Sequence, residues 1–484
     1  MTANIERIPT DRPAASPPRP RLAVELGPML RLAGPVVVAE LGWMAMGIVD
    51  TIMVGPLGAE ATGAVGLGSN LYIAVAIFGL GLMLGLDAMV AQEHGAGRSE
   101  EARRSLAQGV YLAAAVTPLT MMAILAMIPL LPRLGILPEV LRLTEPYLEA
   151  LTWGTAPLLL FAAIRRYLQG VGVVKPITFA LVTANLVNVA ACWALVYGHL
   201  GFRAMGVEGS GWATSLARAY LAAVLLGAFA LYAPRSAPGA GPSRGWPWPE
   251  PARLRRLLAL GLPASIQITL EVGVFAAATT LAGRLDAASL ASHQIVLNIS
   301  SLTYMVPLGI ASAGAVRVGQ ALGRRDPAAA ATSGWTALLI GAGFMIASGV
   351  ALLTLSRPVI AIFTKDPAVI ATTARLFYLA AAFQLFDGVQ VVATGVLRGA
   401  GDTRTPMVCN LLAHWGIGLP IGSALAFGLG RGIVGLWVGL SIGLSLAGLA
   451  NLAVWARRSR RLDAGEVRLV DAQGPIALLA PGDS

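Results

Sequence analysis

VAQEHGAG (residues 90–97) and VGQALGRR (318–325) close two long apolar runs that lie 228 positions apart. The same shift lays Pro35 on Pro263, Leu57 on Leu285, Gln92 on Gln320 and Gly95 on Gly323. A shift of 229 lays LQGVG (168–172) on LRGAG (397–401). One such match in apolar sequence means little. Several at a near-constant offset imply that the second half of the chain repeats the first.

Outward from these segments, each half holds six apolar runs. A bilayer core needs about 20 apolar residues per helix. The runs are 27–54, 65–90, 106–131, 147–170, 176–198, 208–232, 257–283, 289–318, 332–356, 370–397, 406–429 and 432–456. The predicted fold is an all-α membrane protein with 12 transmembrane helices in two pseudo-symmetric six-helix bundles, an N-lobe (22–232) and a C-lobe (257–456). An even number of spans per copy keeps both copies in one orientation, related by an axis along the membrane normal. Residues 1–21 read as a disordered cytoplasmic tail, and the Pro-, Gly- and Arg-rich 233–256 as a cytoplasmic linker. Residues 457–484 read as a cytoplasmic tail, with RRSRR (457–461) as a membrane-surface anchor. The first apolar run is too long for a signal-peptide core.

Composition agrees. Of 484 residues 56% are hydrophobic and 12% charged, against roughly 25% charged in soluble domains. The net charge of +10 belongs to loops, not to a nucleic-acid surface. Counted by loop, 26 of the 35 Lys and Arg fall on one side, seven on the other, and Arg218 and Arg375 within spans. The positive-inside rule then places both termini in the cytoplasm. Cys192 and Cys409 sit far apart in apolar runs, unsuited to a disulfide or metal pair. No HExxH, GxSxG, Cys/His cluster or phosphate-binding glycine loop occurs. The chain therefore reads as neither an enzyme nor ATP-driven, with no cofactor and no ATPase subunit. Its Arg-rich, Lys-poor composition suggests a bacterium and thus its inner membrane.

Gly81/Gly85, Gly418/Gly422 and Gly435/Gly439/Gly443 repeat at four residues. That spacing puts small residues on one helix face, where backbones approach closely.

Carboxylates inside spans carry the functional reading, because a charge in hydrocarbon must face a cavity or a partner. Gln384, Asp387, Gln390 and Thr394 share one face and form the deepest polar stripe. Gln267 stands one turn before Glu271, and Pro263 frees a carbonyl near it. Glu40 and Asp50 lie in the first span; depth alone favours Glu40, with Asp50 at the outer end open to a solvated reading. Asp87, near the cytoplasmic end of the second span, reads as a cap or the partner of a loop arginine. Asn185, Asn188 and Cys192 share a face of the fifth span, and Gln294, Asn298 and Ser301 one of the eighth. His293, near the start of its span, reads as exposed or capping, whereas for His414 a core and a relay role stand level. Trp43, Tyr304 and Phe383 offer aromatic faces, with core packing the alternative.

The chain also resembles a known family, the multidrug and toxic compound extrusion (MATE) transporters. GPVVVAELGWMAMGIVDTIMVG (34–55) resembles their first span, with an early proline and a terminal Asp-Thr-x-Met-Val-Gly. The AQ…GAG segment (91–97) and VGQALGR (318–324) resemble their paired signatures. KPITFALVTANLVN (175–188) is similar to their fifth span, and ASHQIVLNISSLTYMVPLGIASAGAVRVGQ (291–320) to their eighth. LRGAGDTRTP (397–406) resembles the loop after the tenth. The resemblance covers about residues 25–456. It implies two lobes arranged as a V, a monomer, and export of small organic, often cationic, compounds by antiport with H+ or Na+. It raises Asp50 above Glu40 as a proton-linked group. It implies cation binding, as H+ or a Na+ site, at Glu271 and Asp387, the acidic pair of the NorM-type branch. Phe383 departs from the tyrosine that some members carry, which removes a hydroxyl ligand and favours protons. A flippase for lipids or lipid-linked oligosaccharides is the alternative. It would line its cavity with cations, where this chain shows five carboxylates and two arginines within spans.

Overall fold

The computed structural model describes residues 22–134, 136–232 and 245–464. The N-terminal tail, the first half of the linker (233–244) and the tail beyond 464 lie outside the described residues. Among the described residues all regular structure is helical, as hydrocarbon requires, since a helix satisfies its own backbone. Eleven helices are long and apolar enough to cross a bilayer, and a bent pair makes the twelfth span. In chain order they are α1 (Leu22–Val54), α2 (Ala59–Gly95), α3 (Ser99–Met127), α4 (Pro138–Trp153 and Thr155–Gly170), α5 (Lys175–Tyr197) and α6 (Val207–Tyr232). The second six are α7 (Pro251–Ala282), α8 (Ala287–Gly323), α9 (Pro327–Thr354), α10 (Pro367–Gly399), α11 (Arg404–Gly428) and α12 (Gly432–Asp463).

Two boundaries differ from the sequence reading. The end of the linker, from Pro251, already belongs to α7, and the basic segment RRSRR continues α12 rather than starting a tail. Three helices are irregular, and α2 is interrupted at Leu84, between Ala59–Met83 and Gly85–Gly95. α4 bends by 45° at Gly154. α11 widens into π-helix over Leu411–Gly418 and Ala424–Gly428, and His414 lies in the first of these. Three C-lobe helices are capped alike: Asp286, Asp326 and Asp366 accept from the backbone N–H groups of Ser289, Ala329 and Ala368.

The lobes meet through a pseudo-two-fold seam. A Cβ on Gly81 (α2) would lie 2.5 Å from the Ser265 Cα of α7, and one on Gly309 (α8) 2.9 Å from the Val37 Cα of α1. These two contacts are related by the 228-residue shift. So are those of Gly95 with the Gln320 backbone and of Gly323 with the Gln92 backbone, which leave no room even for a methyl group. Gln92 Nε2 donates to the Gly399 carbonyl at 3.1 Å, and Gln320 Nε2 to the Gly170 carbonyl at 2.9 Å. Each lobe also takes in the start of the other's first helix. Met29 and Ala33 of α1 pack in the C-lobe core, and Leu257 of α7 packs in the N-lobe core. Glu25 pairs with Arg317 at 2.6 Å, and Arg253 with Glu93 at 2.6 Å. Among the described residues every cross-lobe hydrogen bond and ion pair lies in the half of the bundle that carries the ends of α2, α4, α8 and α10. The lobes are joined at that end.

The glycine spacing works as read from sequence. A Cβ added to Gly418 would lie 2.9 Å from the Gly443 Cα, and one on Gly422 3.0 Å from the Leu436 carbonyl oxygen, so only glycine lets α11 and α12 approach this closely. Gly439→Leu therefore forces the two helices apart. It should cost about 1–3 kcal/mol and lower the melting temperature in detergent. Gly343→Leu, with nothing within 4 Å of its added Cβ, should leave melting unchanged.

Candidate functional site

In the N-lobe, α1 runs on to Val54, so Asp50 is inside a helix rather than at its solvated end. It is 3% exposed. Asn188 Nδ2 donates to Oδ1 at 3.1 Å, Thr214 Oγ1 to Oδ2 at 2.6 Å, and the Cys192 thiol stands 3.7 Å from Oδ1. These donors come from α5 and α6. Asn185 instead donates to the backbone of Gly42 and Leu181, tying α5 to α1. Tyr147 lies in the electrostatic field of Asp50 and shares a 2.8 Å hydrogen bond with Ser69.

Glu40, which depth alone favoured, is paired with the buried Arg165 of α4. It is a neutralised structural group, and Asp50 is the carboxylate left among uncharged donors.

In the C-lobe, Asp387 of α10 is 6% exposed and accepts no hydrogen bond from the described residues. The charged group acting on it is Glu271 of α7. Tyr304 of α8 reaches Glu271 with a long hydrogen bond of 3.4 Å, and Gln267 and Gln390 face the same carboxylate. Gln384 donates to Thr303 at 3.1 Å, and Gln390 to Asn410 of α11 at 3.1 Å. The carbonyl oxygens of Gln384 and Gln390 and the Asn410 amide are buried without a protein partner. They supply further polar ligands to the same compartment. Phe383 turns away from the carboxylates, edge-on to Phe275 and Trp437.

Several expectations change. His293 is fully buried, because α8 begins at Ala287, more than a turn earlier. Trp437 Nε1–H donates to its Nδ1 at 3.1 Å, so its Nε2 carries the proton and donates to Thr279 Oγ1 at 3.0 Å. That is a satisfied neutral core histidine. Gln294 and Asn298 are exposed and make no protein hydrogen bond, so the structure does not join them to the buried cluster. His414 is buried with Nε2 unpartnered.

Arginines within helices outnumber the two read from sequence. Arg165 and Arg398, placed in loops by spacing, are helical and buried. Asp87 binds Arg398 of the C-lobe at 3.0 Å and Arg166 of the N-lobe at 3.6 Å, which makes it a cross-lobe tie rather than a cap. Arg218 has a partner after all, its guanidinium lying 4.3 Å from the centroid of the Tyr72 ring. Thr214 was overlooked, although it stands one turn before Arg218 on the same face. Asn410 carried no sequence signal beyond being an amide in an apolar run.

With Asp87 gone, Arg398 keeps no carboxylate, and leaving a buried charge unpaired costs about 3–5 kcal/mol. Asp87→Asn should therefore loosen the joined end. Spin labels at Arg98→Cys and Arg324→Cys, in a Cys192→Ala, Cys409→Ala background, should show a new longer-distance population. An unchanged distance distribution would mean that this tie does not hold the lobes.

Comparison with known proteins comes to bear on this geometry. The MatE family model matches residues 35–194 and 263–423. The two matches are offset by 228 residues at their starts. The chain is 38% identical to "Probable multidrug resistance protein NorM" of Mesorhizobium japonicum over 90% of its length and 94% of that protein's. It is 35% identical to "Multidrug resistance protein PmpM" of Pseudomonas aeruginosa, over 91% and 93%. Its fold is similar to that of the eukaryotic MATE transporter AtDTX14, with a TM-score of 0.81 at 19% identity, covering 92% of this chain and all of that one. A multidrug resistance MATE family transporter in an outward-facing conformation also gives 0.81, at 20% identity over 91% and 97%.

Proposed function

The chain belongs to the MatE family, and from that premise we propose that it is a secondary active multidrug exporter. It moves small organic, often cationic, compounds across a bacterial inner membrane by antiport with H+ or Na+. The observation that carries this reading is one buried acidic cluster in each of two lobes that are tied together at one end only.

The physics runs as follows. Asp387 and Glu271 face each other in a low-dielectric compartment without a cation beside them. Two like charges there repel, so the pair is at ease only when a proton or another cation joins it. Release of that cation changes the solvation demand of the compartment and favours a different packing of α7, α8 and α10. An ion drives a conformational change only through such a difference in affinity between states. An organic cation competes for the same carboxylates, with Tyr304 beside Glu271 available to it. The tied end takes the cytoplasmic side, where the charge rule places both termini. Opening it and closing the other is the alternating access that the two lobes are built to perform. A monomer holds both clusters and suffices for this cycle.

The flippase reading is weaker on the same geometry. Arg165, Arg166, Arg253, Arg317 and Arg398 are each paired with a carboxylate, so they do not offer a phosphate-binding lining.

The test is uptake of ethidium into everted vesicles energised by a proton or a sodium gradient. One gradient should drive uptake by the wild type. Asp387→Asn and Glu271→Gln should each lower the initial rate about tenfold or more, a loss of at least about 1.4 kcal/mol of coupling. Equal rates in mutants and wild type would remove the pair from the mechanism. No movement of any compound in a broad panel would turn attention to lipid flipping.

A further inference from the structure

The break in α4 leaves the carbonyl end of a half-helix, at the buried Ala150 and Leu151, against α6, whose Thr214 bonds Asp50. Such ends carry negative dipole and attract cations, and in broken-helix transporters they coordinate coupling ions. Here two side chains of α6 already take them. Ser215 Oγ donates to the Ala150 carbonyl at 2.7 Å, and Arg218 Nη1 reaches the Leu151 carbonyl at 3.5 Å.

Arg218 is 7% exposed, its Nε buried without a partner, and its side chain packed over Gly154 at the bend. It makes no ion pair, yet it is the charged group that acts on Asp50. The other groups facing Asp50 are uncharged: Asn188 and Cys192 from α5, Thr214 from α6 and Tyr147 from α4. Towards Asp50 the amide, hydroxyl and thiol present hydrogens, which a metal ion cannot use as ligands. The C-lobe differs, for Asp387 and Glu271 have no such cation among their neighbours.

We propose that Arg218 sets the ion selectivity of the N-lobe: it is a built-in cation, seated at the carbonyl end of the broken α4 beside Asp50, that excludes Na+ and leaves the carboxylate to protons. A metal ion needs free oxygen ligands and a net negative site; Ser215 and Arg218 occupy the α4 carbonyls, and the Arg218 charge offsets that of Asp50. A proton needs one carboxylate oxygen. The proposal rests on the ion-coupled reading above, but its test does not depend on transport.

The experiment uses the purified full-length chain in detergent, with the C-lobe pair silenced by Glu271→Gln and Asp387→Asn. Melting is followed in NaCl against choline chloride at constant ionic strength. This parent should show no Na+-specific shift. Adding Arg218→Met should create a saturable rise of about 3 °C, which Asp50→Asn should remove. Arg218→Gln makes the same change more gently should the methionine variant not fold, and Arg218→Lys, which keeps the charge, should behave as the parent. Direct binding of radioactive Na+ by equilibrium dialysis should follow the same order. No gain of Na+ response in either neutral variant would sink the proposal, as would a Na+ shift in the parent that Asp50→Asn abolishes. Failure of the wild type to move ethidium under either gradient, with this binding pattern intact, would instead count against the export reading alone.

Discussion

The structure depends on backbone meeting backbone at one end of the molecule. Gly95 lies on the main chain of Gln320, Gly323 on that of Gln92, Gly81 on Ser265 and Gly309 on Val37. At each of the four a partner backbone atom lies within 3.0 Å of where a Cβ would sit, so these contacts have little slack to absorb small movements. A seam of this kind is made or broken as a unit. In the proposed cycle the lobes would then move as bodies, and chemistry deep inside each one would gain a mechanical consequence. The hydrogen bonds of Gln92 and Gln320 fix the register of the seam, while the interlocked starts of α1 and α7 carry each lobe into the other's core.

Scaffold and chemistry obey different symmetries. The seam repeats faithfully at 228 residues. The carboxylates within spans do not: that shift takes Asp50 to Ala278, Glu271 to Trp43 and Asp87 to Ala315, and a shift of 229 takes Asp387 to Leu158. Duplication supplied two equal bodies, and the charges then distinguish them. The N-lobe holds one carboxylate with donors and a fixed guanidinium, and the C-lobe an acidic pair with amides. Two unlike compartments on one two-fold frame can respond to different ions while sharing one motion.

Much of this was legible in the chain. Twelve spans follow from apolar length, the repeat from its offset, and the α11–α12 contact from glycine spacing, because each is a local property. Asp50 over Glu40 needed the family resemblance, since depth in a helix says nothing about who stands opposite. Arg165 sits 125 residues from Glu40 in sequence, and Arg398 is 311 from Asp87, so no local pattern could pair them. Reading both arginines as loop residues followed from the assumption that charge ends a span. A paired charge does not have that effect. His293 was misplaced because nearness to a span's start is no measure of exposure, and Trp437 of α12 and Thr279 of α7 cover it. The bend at Gly154 left no trace because a glycine within an apolar run is equally consistent with a straight helix.

The joined end has a consequence for the surrounding lipid. In the proposed cycle, lobes tied in one leaflet would give the protein a wedge profile when they part in the other. Reversing that wedge would move lateral area from one leaflet to the other, and the bilayer would do work on that step. Lipid shape and membrane tension would thereby become inputs to the rate of the proposed turnover, acting on the molecule without touching Asp50 or the Glu271–Asp387 pair.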